Sequence, residues 1–293
     1  MKATAIGERA GRILATGGPA RVIGLTSRGV FLVNESGEIV FVSFEHWHGP
    51  LTINLAGHES WDYPPSFNNI QMEEIVELRP DRIGFTRAKI GITLSPSTGW
   101  KAELPAREIE PGVPARLRAV TTQLLESGPP KGWNSLLLEW AGVAPGRDLP
   151  DPLSEINRNI VELKSGLSAG DEEGAVAGIR QLLGKGAGLT PSGDDLVIGL
   201  LLASSRYSGI CSAIFRSQAW IQRIIGLARQ KTTWLGACLV ESAAEGQADE
   251  RLVIALDGVV TGNPDAVESA DRLLAYGSSS GGDALLGMAL ALR

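Results

Sequence analysis

The chain has 293 residues, of which 43% are hydrophobic and 20% charged, and a formal net charge of −6. This length leads one to expect one large or two ordinary domains, and the composition supports a packed core and excludes a disordered chain. The balance is acidic and no run of Lys and Arg stands out, so nucleic acid is not an expected partner.

Met1 to Ala20 lacks a continuous apolar stretch and carries Glu8, Arg9 and Arg12, so no signal peptide is expected. The longest apolar run, Leu196 to Ala203, is too short to span a bilayer. The two cysteines, Cys211 and Cys238, lie in apolar, helix-like surroundings and read as thiols of a reducing compartment. A cytoplasmic, soluble protein is the expectation.

Residues 1–112 read as β-rich. Ile6 to Leu14 suits a short helix, and Arg21 to Leu25 a strand. Val30 to Val33 and Ile39 to Val42 flank the turn Asn34-Glu35-Ser36-Gly37, a hairpin pattern. Leu51 to Leu55 alternates as a half-buried strand does. Ile75 to Leu78, Arg82 to Thr86 and Ile90 to Leu94 add three more strands. Short strands at this spacing predict a small barrel or sandwich. His46 and His48 would point the same way on a strand, but no third ligand is near in sequence, so they read as surface or pocket-edge residues. Trp61 to Pro65 reads as a loop plugging the barrel, and Asn68-Asn69 as part of the same irregular stretch.

The pattern turns helical near residue 113, so a second domain is assigned to 113–293. Ala115 to Glu126 reads as a helix ended by Gly128-Pro129-Pro130, and Trp133 to Trp140 as a short apolar helix. Ala144 to Pro152 reads as a loop. From Leu153 onward about seven or eight helices are expected, giving an all-α C-terminal half and an α+β protein. Among the signals are Asp171 as a cap, a helix over Ala213 to Ala228, and a cap at Thr232 or Thr233. Asp249 reads as a further start, and Asn263-Pro264 as an N-cap followed by proline at the first helical position.

One stretch organises this half. Gly184-Lys185-Gly186-Ala187-Gly188-Leu189-Thr190-Pro191-Ser192-Gly193-Asp194-Asp195 is glycine-rich at its start and runs directly into an apolar helix. Ser192 is a natural N-cap, with Asp195 at the capping-box position. A second copy, Ser280 to Ala291, aligns on Ser192 to Ala203 without a gap. It shares Ser192/Ser280, Gly193/Gly281, Asp195/Asp283, Gly199/Gly287, Leu202/Leu290 and Ala203/Ala291. Two such helices suggest a pseudo-symmetric pair, with Gly199 and Gly287 allowing a close crossing and both N-termini facing one pocket.

These motifs resemble the signature of a bacterial family long filed as of unknown function, the AllH-like family. Its described member is a subunit of oxamate carbamoyltransferase in anaerobic allantoin breakdown. Lys231-Thr232-Thr233-Trp234-Leu235 and Gly281 to Gly287 also look like that family's motifs. The resemblance is strong over roughly residues 180–290 and only architectural over 1–115. The family often has an aromatic residue after the aspartate pair. Here it is Leu196, which reads as a packing change. The resemblance implies carbamoyl transfer between carbamoyl phosphate and oxamate in a multi-subunit enzyme of purine catabolism.

From the residues themselves, the motifs offer hydroxyls and backbone N–H donors suited to a small anion: Gly186, Gly188, Thr190, Ser192, Gly193, Thr232, Thr233, Ser278, Ser279, Ser280 and Gly281. Asp194, Asp195 and Asp283 are candidates for catalysis or for holding Mg²⁺. Alternatively, Asp195 and Asp283 cap their own helices, leaving only Asp194 free. Lys231 is the candidate cation. No Ser-His-Asp order, Walker motif or GxGxxG is present. Three readings stay open: a carbamoyltransferase subunit with protein partners, a stand-alone Mg²⁺-dependent hydrolase or transferase acting on a phosphorylated or amide substrate, and a non-catalytic scaffold. A homo-oligomer is compatible with each.

Overall fold

The computed structural model describes residues 1–56, 65–95, 99–103, 105, 109–128, 131–143 and 151–292. His58, the aromatic stretch at 61–64, Pro129, Pro130 and the loop at 144–150 lie outside the described residues. The chain forms two compact units, Met1–Ala102 and Glu103–Arg293.

The first unit is one nine-stranded sheet with a short helix. Its strands are β1 (Ala3–Gly7), β2 (Gly18–Thr26), β3 (Gly29–Asn34), β4 (Ile39–Ser43) and β5 (Thr52–Leu55), then β6 (Ile75–Arg79), β7 (Arg82–Phe85), β8 (Ile90–Thr93) and β9 (Gly99–Trp100). Helix α1 (Glu8–Thr16) follows β1, two residues later than its expected start. The strand order is β8-β7-β6-β2-β3-β4-β5-β1-β9. The β2–β3–β4 and β6–β7–β8 runs are antiparallel, whereas β4–β5 and β1–β9 pair in parallel. A parallel bridge from Lys2 to Thr93 links the β1 and β8 ends, so the sheet curls as a barrel and is not a sandwich. Alternation drives the curl. Val76 and Leu78 point inward on β6 while Ile75, Glu77 and Arg79 face solvent, and Val22, Leu32, Val42, Ile53, Ile83, Phe85 and Ile92 join Val76 and Leu78 in one core.

Two sequence expectations fail in this unit. His46 and His48 are not on a strand; they follow β4 in a bend. The Asn54 amide holds that bend, donating to Glu45 O at 2.9 Å and Trp47 O at 2.8 Å. His46 lies against Trp47 and His48 stacks on Trp100, with centroids 4.3 and 5.7 Å apart. Strand β1 was not anticipated, because its two alanines and its glycine are weak β-formers.

The second unit is helical: α2 (Val113–Glu126), α3 (Leu137–Trp140), α4 (Asp151–Ala169), α5 (Glu172–Leu182), α6 (Ser192–Arg206), α7 (Gln218–Lys231), α8 (Trp234–Ala244), α9 (Glu250–Thr261), α10 (Ala266–Ala275) and α11 (Ser280–Ala291). Asp171, Ser217, Thr233, Asp249 and Asp265 cap α5, α7, α8, α9 and α10 through their side chains. Two starts differ from expectation. Ala213–Arg216 is a separate 3₁₀ turn, because Ser217 captures Trp220 N–H and restarts the helix there. The α10 cap is Asp265, not Asn263, since Asp265 reaches Glu268 N–H at 2.9 Å. Arg116 on α2 donates to the carbonyls of Val259 and Val260 at 2.8 and 2.7 Å, at the end of α9 where carbonyls lack helical partners. Among the described residues, no helix is long and apolar enough to cross a membrane.

Helices α6 and α11 form the centre of this unit. Nearly every α6 residue is buried, and so are Gly281 to Ala291 of α11. The helices touch backbone to backbone. A side-chain carbon on Gly199 would overlap the Ala284 carbonyl, and one on Gly287 would overlap the Leu196 carbonyl. Leu196 and Ala284 are themselves equivalent in the repeat, so the contact is self-complementary, as at a two-fold axis. Gly193 and Gly281 likewise press on the carbonyls of Leu182 and Leu273, in the helices before each motif. Gly199→Ala is therefore expected to destabilise the protein by about 2–3 kcal/mol in urea unfolding, despite alanine's better helix propensity. A neutral or stabilising result would show that the crossing is loose.

Candidate functional site

The α6/α11 crossing brings the starts of both motifs together. The Thr190 and Ser280 hydroxyls are 3.5 Å apart, and Thr190 donates to Asp195 Oδ2 at 3.3 Å. Ser192 and Ser280 are not side-chain caps. Each occupies the first turn of its helix, and the cap positions are Pro191 and Ser279, neither of which makes a side-chain capping bond. The serine–aspartate relationship is instead exchanged between helices. The Ser280 hydroxyl stabilises the charged form of Asp195, and the Ser192 hydroxyl does the same for Asp283. Each motif's serine thus serves the other motif's acid. Capping of their own helices by Asp195 and Asp283 is overturned by this arrangement.

Asp194 is not free either. Gly184 N–H donates to its Oδ1 at 2.8 Å, and the Thr232 hydroxyl donates to its Oδ2. Gly236 packs directly beneath that carboxylate, where any side chain would overlap it. Asp194 therefore fastens the end of α5 and the start of α8 to α6. Its counterpart in the second copy is Gly282, whose place is filled by the Asn134 side chain. Asp283 Oδ1 accepts from Trp133 N–H at 2.7 Å, and Gly132, at φ 56°, allows that chain to pass closely over the carboxylate. The residues that complete the site, Gly132, Trp133, Asn134, Gly184 and Gly236, carry no chemical signature; in the sequence Gly184 stood out only as the start of the glycine-rich stretch and Trp133 only as the start of a short helix.

All three carboxyls are buried, with Asp194, Asp195 and Asp283 at most 1% exposed. Burial raises the pKa of Asp194, against hydrogen bonds from Thr232 and Gly184 that lower it. Asp195 is pushed well above the usual carboxylate range, chiefly by burial, with the charges of Asp283 and Asp194 adding to the effect. Asp283 is pushed up to about 6 by burial, although Ser192, Trp133 N–H and Ser279 favour its charged form. Asp195 Oδ1 and Asp283 Oδ2 have no hydrogen bond of normal geometry among the described residues. Among those residues no group of three His, Cys, Asp or Glu side chains has the geometry to hold a metal ion, so the three aspartates do not converge as a Mg²⁺ ligand set.

The surrounding residues are layered. Gly186, Gly188, Leu189, Lys231 and Thr233 are exposed, while Thr190, Thr232, Ser279 and Ser280 are half-buried above the acids. Thr233 caps α8 and also donates to Leu189 O at 3.0 Å, tying the glycine-rich loop to α8. The Gly193 and Gly281 N–H groups are already engaged, by Lys185 O at 2.9 Å and Tyr276 O at 3.0 Å. Those two N–H groups are not available to an anion. Lys231 makes no ion pair among the described residues, and Gly184 packs against its carbonyl. Cys211 is half-buried with its thiol pushed up to about 12 by burial, and Cys238 is buried; neither is disulfide-bonded.

The Asp283 shift has a signed consequence. In the folded protein it holds its proton up to about pH 6, whereas the ordinary value is 3.8. The folded state therefore binds more protons between these values, and stability must fall as pH rises through that window. The loss amounts to roughly 3 kcal/mol at full ionisation. Asp283→Asn keeps the acceptor for Trp133 N–H and removes the titration. Its urea-unfolding free energy is expected to change less between pH 4 and 6 than that of the wild type. Parallel pH profiles would assign the dependence to other groups.

No solved structure matches this chain. Residues 182–292 match the model of the family described as oxamate carbamoyltransferase subunit AllH. That span runs from the last residue of α5 through both serine–aspartate motifs and the whole of α11, and over it the chain is similar to that family.

Proposed function

We propose that this chain is a subunit of a cytoplasmic carbamoyltransferase and that it binds a small anionic substrate, carbamoyl phosphate, oxamate or a close relative, at the joined starts of α6 and α11. The family match supports the subunit assignment. The observation that carries the substrate reading is the meeting of Thr190 and Ser280, one from each motif, over the buried Asp195. In a carbamoyl transfer the acceptor's nitrogen bonds to the carbamoyl carbon, the bond from that carbon to the phosphate oxygen breaks, and the nitrogen loses a proton. Positioning and stabilisation of charge on oxygen do most of the work. Half-buried hydroxyls supply both donors and acceptors for such groups. Burial favours the neutral form of Asp195, which lessens the repulsion an anion meets there. As a neutral acid, Asp195 also donates a hydrogen bond to one hydroxyl oxygen and frees that hydroxyl's own hydrogen to face the ligand. In this reading, partner subunits complete the catalytic assembly.

The test is thermal unfolding of the chain with carbamoyl phosphate, oxamate or phosphate, each with and without Mg²⁺, compared with the Thr190→Val/Ser280→Ala double variant. A ligand at about 100 times its dissociation constant should stabilise the wild type by roughly 2.7 kcal/mol. The double variant should fold and lose most of that gain. Equal stabilisation of both proteins would place the ligand elsewhere and sink the substrate reading. A response that requires Mg²⁺ would favour a metal-dependent enzyme over a metal-free binding subunit.

A further inference from the structure

Arg82 and Lys89, which make no ion pair among the described residues, lie on the β6–β7–β8 meander, Arg82 on its outer face and Lys89 in the turn before β8. Glu77, Gly84 and Gly91 stand side by side across the three strands, and Arg79, Arg82 and Thr93 form the next row. The two adjacent glycines leave a notch, and nothing occupies the space a side chain would take at Gly84. The Arg82 guanidinium lies across Gly91, its atoms 3.2–3.6 Å from where a side-chain carbon would be. Lys89 stands at the other end, and with Glu77, Arg79, Arg82 and Gly84 it lines a concavity of about 390 Å³.

The charges are distributed unevenly around this concavity. Arg79 is committed to Glu77, at 2.6 and 2.9 Å, and Asp81 lies close enough to Arg79 to act on it. Arg82 and Lys89 make no ion pair or side-chain hydrogen bond among the described residues. Lys89 is also held in an unfavourable backbone conformation, φ 55°, where glycine would be at ease. The buried Glu74 carboxylate fixes the turn that leads to it, accepting from Arg87 N–H and Ala88 N–H, each at 2.8 Å. A rigid turn thus presents an ammonium group at a position where a lysine weakens the fold.

We infer that this concavity is a second binding site, for a small doubly charged oxyanion held between the Arg82 guanidinium and the Lys89 ammonium over Gly84. The guanidinium offers parallel N–H donors to two oxygens, the lysine a point charge to a third, and the missing side chain at Gly84 lets the anion sit low between them. A phosphate group and a short dicarboxylate share this chemistry. This site is independent of the Thr190–Ser280 surface and of the reading given to it.

The experiment titrates the full-length chain with inorganic phosphate and, separately, oxalate at constant ionic strength, following amide chemical shifts and heats of binding. Saturable shifts at Gly84 and Gly91 are expected, and the stronger of the two probes identifies the anion class. Lys89→Gly should raise the melting temperature while weakening binding about tenfold, because it relieves the backbone and removes a charge-assisted contact. Arg82→Gln should weaken binding by a similar factor. Non-saturating shifts, saturable shifts confined to residues such as Gly186 and Gly188, or unchanged affinity in both variants would each overturn the site.

Discussion

Two backbone contacts, Gly199 on Ala284 and Gly287 on Leu196, govern the helical unit. No other residue type permits so close an approach, and the approach decides what lies at the helix starts. With the helices in contact, Ser192 comes within reach of Asp283 and Ser280 within reach of Asp195. Held further apart by a pair of methyl groups, each serine would fall back on its own helix. The exchange of partners is therefore a product of packing, and a rigid one, because backbone atoms set it and no rotamer can relax it.

The acids follow from the same constraint. Aspartate is seldom buried without a cation, and among the described residues no arginine or lysine pairs with these three. The structure instead meets them with neutral donors: the hydroxyls of Thr190, Thr232 and the two exchanged serines, and the N–H groups of Gly184 and Trp133. Neutral donors compensate an ionised carboxylate incompletely, and the raised proton affinity of all three acids records that shortfall. Asp194 spends both its oxygens on tying helices together, whereas Asp195 and Asp283 each keep one oxygen without a normal hydrogen bond.

Much of this was legible in the sequence wherever the signal was local. The turn at Asn34 to Gly37 located β3 and β4, and Asp171, one of Thr232 and Thr233, and Asp249 were readable as caps because a cap is decided within four residues. The glycine notches and the pairing of the repeats were readable too, because both copies carry the same spacing. What failed depended on distant atoms. Strand β1 owes its existence to β5 and β9, and the His46–His48 segment owes its bend to Asn54. Ser192 and Asp195 have the spacing of a local capping box, and only the crossing of α11 explains why they do not form one. Trp133 reaches Asp283 across 150 residues of chain, through a backbone group that every residue but proline possesses.

Of the six positions at which the two copies differ, the one that sets an acid against a glycine, Asp194 against Gly282, has a directional effect. Two equivalent halves would offer a small molecule two equal ways to lie, head to tail or reversed. Asp194 on one side and Gly282 with Asn134 on the other remove that equivalence: one flank is backed by an ionisable acid tied to α8, the other by a neutral amide. The surface over the two helix starts is thus chemically directional, although it is assembled from two copies of one motif.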